Sequence, residues 1–72
     1  MGGLEKAEQL YEKALTLDSD NKAALEYQGE LFAQTNRLLL AESNLAKLKI
    51  LCPDSCEELE QLDLYIKGIV EK

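Results

Sequence analysis

Two cysteines four positions apart, Cys52 and Cys56, are the most reactive pair of side chains in the sequence, and they bracket Pro53-Asp54-Ser55. A turn between two helices can bring such Cα atoms within the ~4.4–6.8 Å that a disulfide needs. The spacing leaves two states open. One is a disulfide closing a short loop, which contributes about 2 kcal/mol in the chain-entropy account; the other is two free thiols, one packed and one at a helix cap. As metal ligands the pair falls short, because a tetrahedral site needs two further Cys or His, and the chain has neither. The remaining reactive groups are carboxylates. Paired glutamates can do acid and base work, but no His, no Ser in a nucleophile context and no Gly-rich phosphate loop accompanies them. No catalytic residue, metal site or cofactor is expected, and the chain reads as a non-enzyme.

The elements that must position these groups are constrained by length and charge. Seventy-two residues form one small domain, and a chain this short buries only ~60% of the surface its unfolded form exposes. Hydrophobic residues at 46% and charged ones at 31%, with one Pro and four Gly, describe an ordered helical chain. A formal charge of −6 argues against nucleic acid, which selects clustered Lys and Arg, and favours a basic or amphipathic protein or peptide. No apolar run approaches the ~20 residues of a membrane span, and the N-terminus lacks the basic-then-apolar pattern of a signal peptide. Met1-Gly2-Gly3 reads as a start remnant.

Apolar periodicity predicts four helices, at 3–17, 22–34, 38–51 and 56–70. The first carries Leu4, Ala7, Leu10, Tyr11, Ala14, Leu15 and Leu17 on one stripe. Asp20 or Asn21 should cap the second helix, and Asn36 is the residue best able to take the left-handed conformation that closes it. Asp54 or Ser55 should cap the fourth, with Glu57 and Glu58 favouring its positive end. Leu38-Leu39-Leu40 cannot all face one stripe, so at least one is exposed or meets something outside this chain, unless the third helix is wedged between two neighbours, which is the expectation.

Counting Lys22 as position 1 of a 34-residue unit puts Leu25 at 4, Gly29 at 8, Phe32 at 11, Ala41 at 20, Leu45 at 24, Leu48 at 27 and Pro53 at 32. This pattern resembles the tetratricopeptide repeat. It departs at Gln28, where the repeat usually has Leu, and at Leu48, where it has Ala. A shift of 34 residues places Ala7 on Ala41, Tyr11 on Leu45 and Leu17 on Leu51, so 4–15 reads as the second helix of a preceding repeat. Likewise Leu59, Leu62 and Ile66 fall at positions 4, 7 and 11 of a following first helix, with Asp63 where the Gly would stand. The expected fold is all-α: antiparallel helical hairpins of this repeat type, four helices arranged as half repeat, full repeat, half repeat. Opening on a second helix, the chain reads as part of a longer one. Gly29 and Ala41 should sit at the crossing of the central hairpin, where small residues let axes approach to ~8–10 Å.

In an array of such repeats the first helices line a concave surface, so the second and fourth helices here would form its floor. That resemblance implies a peptide-binding groove presenting Glu26, Tyr27, Glu30 and Gln34 from one helix, beside Ala23 and Ala33. Glu57, Glu60, Leu64 and Lys67 come from the other, beside Gly68. Such a groove would be acidic and would speed association with a basic peptide; otherwise these glutamates form a solvated face. The Lys and Asn with which chaperone-type repeats grip a peptide carboxylate are missing. The competing reading is structural, with the uncovered outer faces of the end helices driving self-association, a homodimer for instance, or building a solenoid.

The run Ala24-Leu25-Glu26-Tyr27-Gln28-Gly29-Glu30-Leu31-Phe32, followed by Ala41-Glu42, Leu45, Leu48, Cys52 and Cys56-Glu57-Glu58 with Leu62, is similar to a group of small bacterial tetratricopeptide proteins of unassigned function. The likeness covers about two thirds of the chain and departs at Leu59, where those proteins usually have Tyr. It implies export to an oxidising, periplasm-like compartment and a Cys52–Cys56 disulfide, whereas free cysteines would fit the cytoplasm. Thiol titration of the folded protein after mild oxidation decides between them: the disulfide expectation is loss of both thiols without dimer formation, and two titratable thiols would overturn it.

Overall fold

Four helices make up the computed structural model, which describes residues 2–70: α1 (Gly2–Leu17), α2 (Lys22–Gln34), α3 (Leu38–Leu51) and α4 (Glu57–Val70). No strand occurs among the described residues, so the class is all-α. Met1 and the side chain of Leu4 lie outside what the structure describes.

The bends follow from local side-chain chemistry. Asn21 caps α2: its side-chain oxygen accepts the Ala24 amide at 3.1 Å, satisfying one of the donors that the first turn leaves unpaired. At the other end Asn36 adopts φ 64°. The Arg37 amide then donates to the Phe32 carbonyl at 2.8 Å and the Asn36 amide to the Ala33 carbonyl at 3.4 Å, the paired bonds of a Schellman ending. The chain reverses there and enters α3. After α3, Ser55 takes φ 79° and donates its amide to the Cys52 carbonyl at 2.9 Å. This places Cys56 at the cap of α4, where its carbonyl accepts the Glu60 amide at 3.0 Å. The helix therefore starts at Glu57, one residue later than periodicity suggests, because Ser55 is spent on the left-handed turn instead of capping.

α2 is the central element, with α1, α3 and α4 all packed on it; α3 also packs on α4, and among the helices α1 touches α2 alone. The described chain measures 36 × 34 × 17 Å, a slab about two helix diameters thick. Leu25, Phe32 and Ala33 of α2, Ala41, Leu45 and Leu48 of α3, and Leu62 and Ile66 of α4 form the core. Leu15 of α1 packs against it from the edge.

Two expectations change and a third holds in part. An added Cβ at Gly29 would lie 2.6 and 2.8 Å from the two methyls of Leu62, so the closest approach made by this glycine is to α4 and not to Ala41 of α3. Leu10 and Leu17 stand outside the core, because α1 has a partner on one side only. α3 does lie against two neighbours, α2 and α4, yet Leu39 is 83% exposed and Leu40 47%, so that contact leaves part of the leucine run in solvent. Leu39, Ser43, Ala46 and Ile50, all exposed, recur at helical spacing opposite the buried Ala41, Leu45 and Leu48.

Gly29→Ala should lower the melting temperature. In an open helix the change would gain up to ~1 kcal/mol of propensity, but the added Cβ would force the fully buried Leu62 to shift inside the core, so overpacking at ~1–3 kcal/mol prevails. The loss is about 4–8 °C per kcal/mol for a domain this size, and Gly29→Leu should be worse. A melting temperature unchanged or raised in Gly29→Ala would refute the close contact.

Candidate binding site at the seam of α2 and α4

Because α4 comes down on α2 at Gly29, the faces flanking that contact carry their carboxylates together. Glu26 lies one turn before Gly29 and is half-buried. Its carboxyl is pushed up to about 7, first by burial, then by a hydrogen bond with Glu30 and by the charges of Glu30, Glu58 and Glu57. A hydrogen bond between two carboxyl groups requires a proton on one of them, so the pair holds a proton near neutrality and presents less than its formal charge. Among the described residues no three such groups are placed to hold a metal ion.

Sequence reasoning named Glu26, Glu30 and Glu57 here, and the structure brings these three into one electrostatic cluster. It missed Glu58, read only as favouring the positive end of the fourth helix, because whether Glu58 or Glu60 turns toward α2 depends on the α2–α4 angle. Glu60 is exposed on α4 but does not figure among the charges acting on Glu26. Leu64 is exposed, and Lys67 holds Asp63 at 2.9 Å. Ala33, expected on the floor, is a core residue.

Tyr27 and Gln34 belong to a different surface. Tyr27 turns toward α1, its ring 6.0 Å from that of Tyr11. With Ala7, Glu30, Leu31 and Gln34 these tyrosines line a shallow depression of about 160 Å³. Glu30 therefore stands between the carboxylate cluster and the tyrosine pair.

α1 is held in register by an ion pair with no sequence signal, since its partners are 29 residues apart. Arg37 donates to both Glu8 oxygens, at 2.6 and 3.1 Å, and its Nε donates to the Thr35 hydroxyl at 2.9 Å. The guanidinium also lies 4.9 Å from the centre of the Phe32 ring. Accepting those bonds holds the Glu8 carboxyl below its ordinary range, and Glu8 in turn raises Arg37. At the far end of the seam Cys52 and Cys56 form a disulfide, with Cα atoms 6.0 Å apart. It fixes the chain directly before Glu57 and Glu58.

These opposed shifts set the pH dependence of stability. In the unfolded chain Glu26 titrates near ~4.3, so its raised folded value contributes stability that is complete below that range and lost as pH rises through about 7. Glu8, lowered, contributes stability that is present above the ordinary carboxylate range and lost on acidification. The melting temperature should therefore be higher at about pH 5 than at about pH 8, and fall again below about pH 4. Glu26→Gln should flatten the upper slope and leave the acid fall intact. A melting temperature that rises steadily from about pH 5 to pH 8 would contradict the cluster.

No helix among the described residues is long and apolar enough to cross a membrane. Comparison with protein-family models, curated proteins and solved structures returns no match for the chain.

Proposed function

We propose that this chain is a non-catalytic helical-repeat module of tetratricopeptide type that binds a basic or amphipathic peptide along the exposed side of α2 and α4. One observation carries the reading: Glu26, Glu30, Glu57 and Glu58 converge from two helices on one seam, in a chain whose formal charge is already −6. Carboxylates crowded enough to retain a proton near neutrality are relieved by a cation. A Lys or Arg side chain would release that proton and take its place.

The repeat reading draws on the 34-residue spacing and on the order of packing, in which α2 touches every other helix and α3 bridges α2 and α4. The slab, 17 Å thick, suits a slice of a solenoid, in which each unit contacts only its neighbours. The Cys52–Cys56 pair fits an oxidising compartment.

The test uses a fluorescent Lys-rich peptide and its anisotropy. Glu26→Lys with Glu30→Lys should weaken binding by roughly tenfold, since exposed ion pairs contribute ~0.2–1 kcal/mol each and reversal turns attraction into repulsion. Glu12→Lys with Glu42→Lys changes net charge equally but should weaken it far less. Affinity should rise from about pH 5.5 to pH 8 as Glu26 ionises, and fall as salt rises from ~0.05 to ~0.5 M. Equal losses from the two double variants would mean that overall acidity alone is at work and would remove the site.

A further inference from the structure

α3 carries a second apolar side that the core does not use. Leu39, Ser43, Ala46 and Ile50 are all exposed on it, and Leu39 at 83% and Ile50 at 79% show most of their side chains to solvent. The steps between the four are four, three and four residues, which holds them on one stripe of a helix with 3.6 residues per turn. At 1.5 Å per residue the stripe is about 16 Å long. Single exposed leucines are ordinary on a protein surface, whereas a continuous apolar stripe marks a contact surface. α2 and α4 do not reach it, because they meet α3 on the opposite side, at Ala41, Leu45 and Leu48.

Steps of four, three and four read the same in both directions. A second α3 turned end for end therefore offers the same stripe in the same register, with Leu39 over Ile50 and Ser43 over Ala46, and the reverse pairs by symmetry. Large residues meet at the ends. At the centre only the small Ser43 and Ala46 side chains intervene, so the two axes can come to the ~8 Å of a close helix contact. The charges beside the stripe agree with this register. Glu42 and Lys49 each precede a stripe residue by one position, which sets both on one flank, while Leu40 and Lys47 each follow one and lie on the other. A two-fold axis that reverses the helix lays each flank against its own copy in opposite order. Glu42 then faces Lys49 of the second copy and Lys49 faces its Glu42, two ion pairs from one symmetry. Neither residue takes part in an ion pair among the described residues. On the other flank the apolar stem of Lys47 lies along Leu40 of the second copy, a residue 47% exposed in the single chain.

We propose that two copies of this chain pair through the outer faces of α3, antiparallel and about a two-fold axis. The interface is isologous, so it closes at a dimer. One helix face from each copy is a small contact, of the size found in weak and transient complexes. The carboxylate seam belongs to α2 and α4, and the pairing neither uses it nor depends on peptide binding there.

Light scattering over a concentration series tests the pairing on the 72-residue chain, up to about 1 mM and at ~0.15 M salt, where charges beyond ~8 Å are screened. The mass should climb from 8.1 kDa and level off at twice that value. Leu39→Glu and Ile50→Glu should each weaken the dimer more than tenfold while keeping the helical circular dichroism, since both positions face solvent in the single chain. Glu42→Lys and Lys49→Glu should each weaken it about fivefold. The chain with both exchanges should regain the parent's affinity, because opposite charges again meet across the axis at an unchanged net charge. Leu10→Glu, on α1, should pair like the parent. A parent chain that stays at monomer mass, a mass that continues past the dimer, loss of pairing in Leu10→Glu, or a double exchange no better than the single ones would each overturn the antiparallel dimer.

Discussion

The absence of a side chain at Gly29 is the constraint on which the rest of the molecule depends. It lets the methyls of Leu62 sit where a Cβ would otherwise be, and so sets how deeply α4 enters α2. With α4 seated there, α3 bridges both helices and Leu48 is sealed from solvent. The carboxylates of α2 and α4 are then brought together as a by-product of apolar packing. Burial, the largest influence on Glu26, comes from the same approach. A gain in core contact and a rise in electrostatic tension therefore share one cause.

Sequence reasoning reached the features that are local in the chain. Apolar spacing marked four helices because the 3.6-residue period is written in consecutive residues. Asn21 and Asn36 could be read because capping and left-handed turns are decided within a few positions. What escaped was relational. Gly29 was visible as a small residue at a crossing, but whether it faced α3 or α4 turned on an inter-helix angle. Glu58 joined the cluster, and Tyr27 left it for Tyr11, for the same reason. The pair of Arg37 with Glu8 depends on how the Schellman ending aims a side chain back across α1, and no periodicity encodes that.

The faces that the core does not use are also informative. α3 is apolar on two opposite sides, one toward α2 and α4 and one outward through Leu39 and Ile50. In an isolated domain such surface gives little to stability, and small domains have little to spare. The exposure of Leu10 and Leu17 follows from α1 meeting only α2 among the helices, whereas α3 meets two and still leaves Leu39 and Ile50 outside.

Arg37 holds two positions at once. Its amide closes the α2 helix by bonding to Phe32, and its guanidinium holds Glu8. The docking of α1 is thus keyed to a turn in another part of the chain, since the residue whose amide closes α2 also supplies the cation that holds Glu8. α1 is held by one helix interface and by one residue of the central hairpin. Releasing it requires the loss of one helix interface and one ion pair, and it would bare Tyr27 and Leu31 while α2, α3 and α4 stay assembled around Gly29. Of the four helices, α1 is therefore the one whose release would disturb the core least.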